Sequence, residues 1–210
     1  MASLGFKPDD FTVFGIEGFS NRMGAIYSRL RPKLIGIGAV LAPQLSRKLN
    51  MEFFPHVANH ARTRVTPPES WCAWGPSPKG YRGYAYLALC ISAHGLHARA
   101  VVKANAHHRV AMARAIECRG GELTTAFRGT KVSLYHPWDF AAMPTPSTAT
   151  QPLWDGLAAS LSKSSGALDL GFGWPLGAAL RLDSLELLDA YRELEPLYRI
   201  LRSAVTRDTA

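Results

Sequence analysis

The stretch that decides the fold is Tyr84-Ala85-Tyr86-Leu87-Ala88-Leu89-Cys90-Ile91-Ser92-Ala93-His94-Gly95-Leu96-His97-Ala98-Arg99-Ala100-Val101-Val102. Its first half, to Ile91, is a nearly unbroken apolar run too short and too rich in aromatic residues for a long helix. His94-Gly95 then supplies a turn signal. Beyond it Leu96, Ala98, Ala100 and Val102 alternate with more polar neighbours, the period of a strand. Two strands joined by so short a connection must run antiparallel, because a parallel return needs a long crossover.

Working outward, the pattern predicts a helix over Ala106 to Glu117, a strand near Thr130 to Tyr135, a helix over Leu153 to Leu161 and a glycine-broken strand from Leu168 to Leu176. The last helix has the clearest signal. Asp183 with Glu186 three residues later makes a capping-box-like start, and Leu187, Tyr191, Leu194, Tyr198 and Leu201 recur at four and three residues. Pro196 is expected to kink it. Upstream, Met23, Ile26, Leu30, Leu34, Ile37, Leu41 and Leu45 have helical spacing, interrupted near Pro32 and again near Pro43, which predicts two or three short helices. Met143 to Thr150, rich in Pro, Ser and Thr, reads as a surface loop over residues 143–150. Strands and helices are mixed without regular alternation. The expected fold is therefore α+β: a single domain over residues 1–210, with a mainly antiparallel sheet flanked by helices and a long C-terminal helix.

The chain has 210 residues and is 47% hydrophobic, enough to form an apolar core without disulfides or a structural metal. Its three cysteines, Cys72, Cys90 and Cys118, are widely spaced with no C-x-x-C pair, which argues for reduced thiols and against a zinc site. No basic region followed by an apolar core opens the chain, and it contains no run of about eighteen apolar residues. A cytoplasmic location and no membrane partner are expected. Twenty-four Lys plus Arg against sixteen Asp plus Glu give a formal charge of +8, a bias toward anionic partners such as nucleic acid or a phosphorylated ligand. Oligomeric state is not legible. The glycines of Asp169 to Gly177 do not match G-x-G-x-x-G and no P-loop occurs, so no nucleotide cofactor is implied.

The densest functional signal is Phe54-Pro55-His56-Val57-Ala58-Asn59-His60-Ala61-Arg62-Thr63-Arg64. Placed on a helix with Pro55 in its first turn and about 100° per residue, Asn59, Thr63, His56, His60 and Arg64 fall on one face. Val57, Ala58 and Ala61 fall on the other. His-x-x-x-His spacing suits a metal, but Val57 stands where a metalloprotease helix carries Glu, and no metal is assigned.

Three readings of the segment remain. In the leading one, Arg62 and Arg64 join a second cluster, Lys79-Gly80-Tyr81-Arg82-Gly83-Tyr84, to bind RNA or another phosphate-bearing ligand. Lys79 and Arg82 there neutralise phosphate, Tyr81 offers a stacking ring, and His56 and His60 line the same site. In the second, the chain is a small hydrolase or transferase with His56 or His60 as general acid or base, although no partner nucleophile is identifiable. In the third, the two histidines are structural and hold elements together by hydrogen bonds. His94, His97, His107, His108 and His136 have blander contexts.

With these residues in hand, the chain resembles the YktB-like family of bacterial proteins of unknown function, mainly over residues 5–90. Gly5-Phe6, Asp10-Phe11, Arg22-Met23, Arg31-Pro32-Lys33-Leu34 and Leu41-Ala42-Pro43 carry the first part. Phe54-Pro55-His56-Val57-Ala58 through His60-Ala61-Arg62, then Val65, Pro67-Pro68, Trp71 and Gly80-Tyr81, carry the most specific part. The chain departs from the family pattern at Asn59, at Thr63-Arg64 and at Ala85-Tyr86-Leu87. The resemblance implies an α+β bacterial fold and brings no activity, substrate or catalytic residue.

Overall fold

A computed structural model describes residues 3–60, 65–135 and 143–206, with side chains to residue 205. Among the described residues seven strands form one sheet: β1 (Phe54–Val57), β2 (Glu69–Gly75), β3 (Tyr86–Ser92), β4 (Gly95–Val102), β5 (Lys131–Leu134), β6 (Ser147–Thr148) and β7 (Leu168–Pro175). Their order is β1-β2-β3-β4-β7-β5-β6, and every pairing is antiparallel. The hairpin read from the sequence is its centre, with Ser92 paired to Gly95 and Ala93-His94 at the turn. Gly95 sits at φ +148 with the Trp174 carbonyl 2.0 Å from where a Cβ would lie, so no side chain fits.

Alternation along the strands separates two faces. One carries Trp74, Leu87, Leu89, Leu96, Ala98, Leu168 and Leu170 into an apolar core that runs from Phe6 to Ala204. Helices cover it: α1 (Pro8–Thr12), α2 (Phe19–Ala25), α3 (Arg31–Leu49), α4 (Arg109–Cys118), α5 (Gly120–Ala126), α6 (Gln151–Ser162), α7 (Leu176–Ala179) and α8 (Ser184–Thr206). Helix α3 packs on β1 and β2, and α8 on β3 and β4. Gly38 lets α3 approach: a Cβ there would lie 2.6 Å from Cys72 Sγ, and its carbonyl accepts from Trp74 Nε1 at 3.1 Å. Trp74 meets Tyr191 of α8 edge to face at 5.5 Å.

The opposite face presents Glu69, Trp71, Ala73, Tyr86, Ala88, Cys90, His97, Arg99, Val101, Asp169 and Tyr135, by the same alternation. Every residue of β3 and β4 is nonetheless buried. The polar positions of β4 thus build a buried polar layer where alternation alone would suggest a solvated face. Cys72 and Cys90 are buried thiols and Cys118 is exposed; burial pushes the Cys72 thiol up to about 12.

Several boundaries differ from the sequence reading. Residues 19–49 are helical throughout, α2 passing through a π-turn (Ile26–Leu30) into α3. Pro32 lies just after the π-turn, and Pro43 lies inside α3 without ending it. Segment 143–150 is no simple loop, because Ser147–Thr148 pairs with β5 and Ala149 is buried. Helix α8 runs without a break through Pro196.

At the start of α8, Asp183 Oδ1 accepts from the backbone N–H groups of Leu185 and Glu186, each at 2.9 Å. Glu186 does not complete the box; its Oε1 accepts from Trp174 Nε1 at 2.7 Å. Asp183→Ala is therefore expected to lower stability by about 1 kcal/mol, read as a urea midpoint shift without a change in slope.

Candidate functional site

Of the segment read as a helix from Phe54 to Arg64, Phe54–Val57 is a strand and residues 58–60 carry no regular structure. β1 is an edge strand, where a proline is tolerated, and Pro55 pairs with Trp74 while Val57 pairs with Cys72. The ladder continues one step, Ala58 N–H donating to Trp71 C=O at 2.9 Å. Arg31 of α3 then donates to the Ala58 carbonyl at 3.0 Å, and Tyr27 to Asn59 Oδ1 at 3.1 Å. An extended chain removes the shared face on which both histidines were placed. Arg62 and Arg64 lie outside the described residues.

His56 belongs to the polar side of β1 and lines an open pocket of about 500 Å³. Its Nε2–H donates to the Ser77 carbonyl at 2.9 Å, and its ring lies 5.3 Å from Tyr81. With Nε2 so engaged, Nδ1 is the ring nitrogen left to meet a ligand. Lys79, Arg82, Tyr84 and His107 line the same pocket, so the Phe54 and Lys79 segments meet at His56. Lys79, Arg82 and His107 are exposed.

The loop that carries these groups is held at several points. Lys79 N–H donates to Ser77 Oγ at 3.2 Å, Tyr84 N–H to Tyr81 C=O at 3.0 Å, and His107 N–H to Gly83 C=O at 2.7 Å. A Cβ at Gly83 would come within 2.6 Å of the exposed His107 ring, which would have to turn aside. Tyr81 is the anchor. Its hydroxyl accepts from Trp71 Nε1 at 3.0 Å, its ring meets Tyr86 edge to face at 4.8 Å, and it is buried. Expected to stack on a ligand, Tyr81 instead forms the floor, and Tyr84 is the more accessible ring.

His60 is not among the described lining of this pocket. It is buried, with Nε2 3.3 Å from Ser70 Oγ and its ring edge to face with Trp71 at 5.3 Å. Burial, reinforced by the positive charges of Arg82 and Arg31, lowers its pKa to about 4, so it is neutral at pH 7. Among the described residues no group of three or more His, Cys, Asp or Glu is placed to hold a metal, and no helix is long and apolar enough to cross a membrane.

Sequence reasoning missed His107. The signal was in the hairpin register: with Tyr86 opposite Val101, the chain entering β3 and the chain leaving β4 lie side by side, which brings residues 103–107 against 80–84.

The family described as a domain of unknown function (DUF1054) matches residues 6–140, and so covers β1 to β5 and the whole pocket. The chain belongs to this family. A UPF0637 protein of Lysinibacillus sphaericus is 41% identical over 90 residues, covering 42% of this chain and 43% of that protein. One of Bacillus licheniformis is 46% identical over 90 residues, with the same coverage. One of Oceanobacillus iheyensis is 42% identical over 88 residues, 41% of this chain and 43% of the relative. The aligned part spans less than half the length of these curated relatives. DUF1054 carries no assigned activity, in keeping with the bacterial family of unknown function that the residues resemble.

Proposed function

We propose that this DUF1054 chain binds an anionic, phosphate-bearing ligand, RNA foremost, in the pocket between β1 and the loop after β2. One observation carries the reading. Lys79, Arg82, His56 and His107 converge on one open cavity, and no carboxylate is among its described lining residues. Phosphate neutralisation needs such an uncompensated cationic surface. The Tyr84 ring, packed edge to face on His107 at 6.0 Å, adds a surface on which an unpaired base can stack. The overall charge of +8 favours the same partner class.

Fluorescence anisotropy with a short labelled single-stranded RNA tests the reading. If about three phosphates are neutralised, affinity is expected to fall roughly 20-fold between ~50 and ~200 mM salt. The double variant Lys79→Ala/Arg82→Ala is expected to weaken binding at low salt and to flatten that dependence. No binding at low salt, or equal affinity in the double variant, overturns it.

For His60 a structural role is favoured by its burial and its contacts with Ser70 and Trp71. An acid/base role, if the pocket supports chemistry, falls to His56, the histidine of the original pair that faces it.

A further inference from the structure

The outward face of α3 carries no polar side chain for three turns. Pro32, Ile35, Gly36, Ala39, Val40 and Pro43 recur along it at steps of three and four, and all are exposed, Ile35 at 49% and Val40 at 60%. Leu34, Leu41 and Leu45 fill the opposite side, toward the core. A helix at a protein surface ordinarily turns polar or charged side chains to water. Helix α8 does so, exposing Glu186, Asp189, Arg192, Glu193 and Arg199. The stripe on α3 is about 16 Å long, and a continuous exposed apolar surface marks a place of contact.

Charge distinguishes the occupants. From Gly18 to Met51 the chain has six Lys or Arg and no Asp or Glu. Four of these cations are engaged within the fold: Arg22 donates to the Ile16 and Pro67 carbonyls and Arg31 to that of Ala58, while Lys33 pairs with Asp10 and Lys48 with Asp189. Arg29 and Arg47, one beyond each end of the stripe, are exposed. Arg47 follows Gly36, Val40 and Pro43 at steps of three and four, so it stands on the same face. A second copy of the chain is a poor occupant. In an antiparallel crossing centred on the stripe Arg29 faces the other copy's Arg47, and in a parallel one each arginine faces its own equivalent. A protein partner also finds little there, because the stripe holds no Trp, Tyr or Arg, the side chains that dominate such interfaces. An anionic bilayer suits both features. Aliphatic groups enter the headgroup boundary without needing a shaped recess, and the arginines at the two ends meet lipid phosphates.

We propose that α3 docks the chain on an anionic lipid surface, with Ile35, Ala39 and Val40 at the headgroup boundary and Arg29 and Arg47 on the phosphates. A long apolar run is the mark of a segment that spans a bilayer; a helix that lies on one needs an apolar face with flanking cations instead. The surface is separate from the pocket of His56 and Lys79, with which it shares no lining residue.

Flotation of the full chain with lipid vesicles tests the proposal, at ~50 mM salt, where attraction to headgroups is little screened. The chain is expected to float with phosphatidylcholine vesicles that contain about 30% phosphatidylglycerol, and not with phosphatidylcholine alone. Ile35→Gln/Val40→Gln removes the apolar groups without touching a charge and is expected to weaken binding roughly 10-fold. Arg29→Ala/Arg47→Ala is expected to weaken it roughly 30-fold. Because all four positions are exposed, the urea midpoints of both variants are expected to match that of the natural chain. Lys79→Ala/Arg82→Ala is expected to leave flotation unchanged. The proposal is overturned if the natural chain stays off the anionic vesicles, if Ile35→Gln/Val40→Gln floats as the natural chain does, or if binding is lost in Lys79→Ala/Arg82→Ala instead. A dimer in sedimentation that Ile35→Gln/Val40→Gln abolishes overturns it as well, since a second copy then owns the stripe.

Discussion

Arg99→Met is expected to lower stability by about 3–5 kcal/mol at pH 7, a Tm loss of roughly 6–20 °C. Arg99 is 2% exposed. It pairs with Glu69 at 2.9 Å and Asp169 at 3.4 Å, and its guanidinium lies 3.9 Å from the centre of the Tyr135 ring. Ala88 and Gly171, its partners on the adjacent strands, leave a flat floor for the long side chain. Methionine keeps much of the volume and removes the charge, so two buried carboxylates lose their shared cation. Protonation then becomes the way to relieve them, and the loss is expected to shrink as pH falls from 7 toward 5. The sign follows from linkage: carboxyls whose folded pKa is raised bind more protons folded than unfolded, so acid stabilises that state relative to the unfolded chain. Urea melts of both proteins at pH 7 and pH 5 supply the difference. A loss below ~1 kcal/mol, or one that does not change with pH, would show that the cluster is weakly coupled.

That cluster marks where the sequence stopped being readable. The central hairpin, α4, α6, β7 and α8 followed from hydrophobic period and turn chemistry, because each buries one stripe or face and its period says which. The alternation Leu96, His97, Ala98, Arg99 was legible as a strand, whereas the burial of its polar side was not. Whether a polar face meets water depends on what covers it, and Glu69, Asp169 and Tyr135 come from strands far away in sequence.

The Phe54 to Arg64 segment failed for another reason. Proline suits the first turn of a helix and also an edge strand, and the local pattern does not choose between them. The pairing of Val57 with Cys72 chooses, and it is a tertiary contact. His56, Lys79 and Arg82 do converge, because the antiparallel β1–β2 pair brings His56 beside the loop that follows β2. His60, three residues past the last paired position of β1, turns inward to Ser70. The proline-interrupted helices were overcalled in the same way: Pro43 lies within α3, whose Leu34, Leu41 and Leu45 are fully or almost fully buried. Packing of that face outweighs the loss of one helical hydrogen bond.

Two buried imidazoles give the natural chain its own expected response to acid. His60 falls to about 4 and His97 to about 2, burial being the first cause for each and neighbouring arginines the next. His97 is held between Ser92 Oγ at 3.1 Å and Tyr135 Oη at 3.3 Å, two hydroxyls that satisfy a neutral ring in either tautomer. Both groups have folded pKa values below that of the unfolded chain, near 6.5. Their contribution is therefore complete above pH 6.5 and is lost as pH falls, since the unfolded state binds the extra protons. From pH 7 to pH 5 each withdraws roughly 2 kcal/mol. Asp169 acts in the opposite sense. Raised to about 6, it costs stability at neutral pH, and its protonation returns roughly 1 kcal/mol over the same interval. The net expectation is a loss of about 2–3 kcal/mol between pH 7 and pH 5, set by the histidines. His60→Gln is expected to be less stable than the natural chain at pH 7, because glutamine does not reproduce the edge contact with Trp71, yet to lose less on acidification. A urea midpoint that stays level or rises on going to pH 5 would mean that these rings are already charged, and so solvated, in the folded protein.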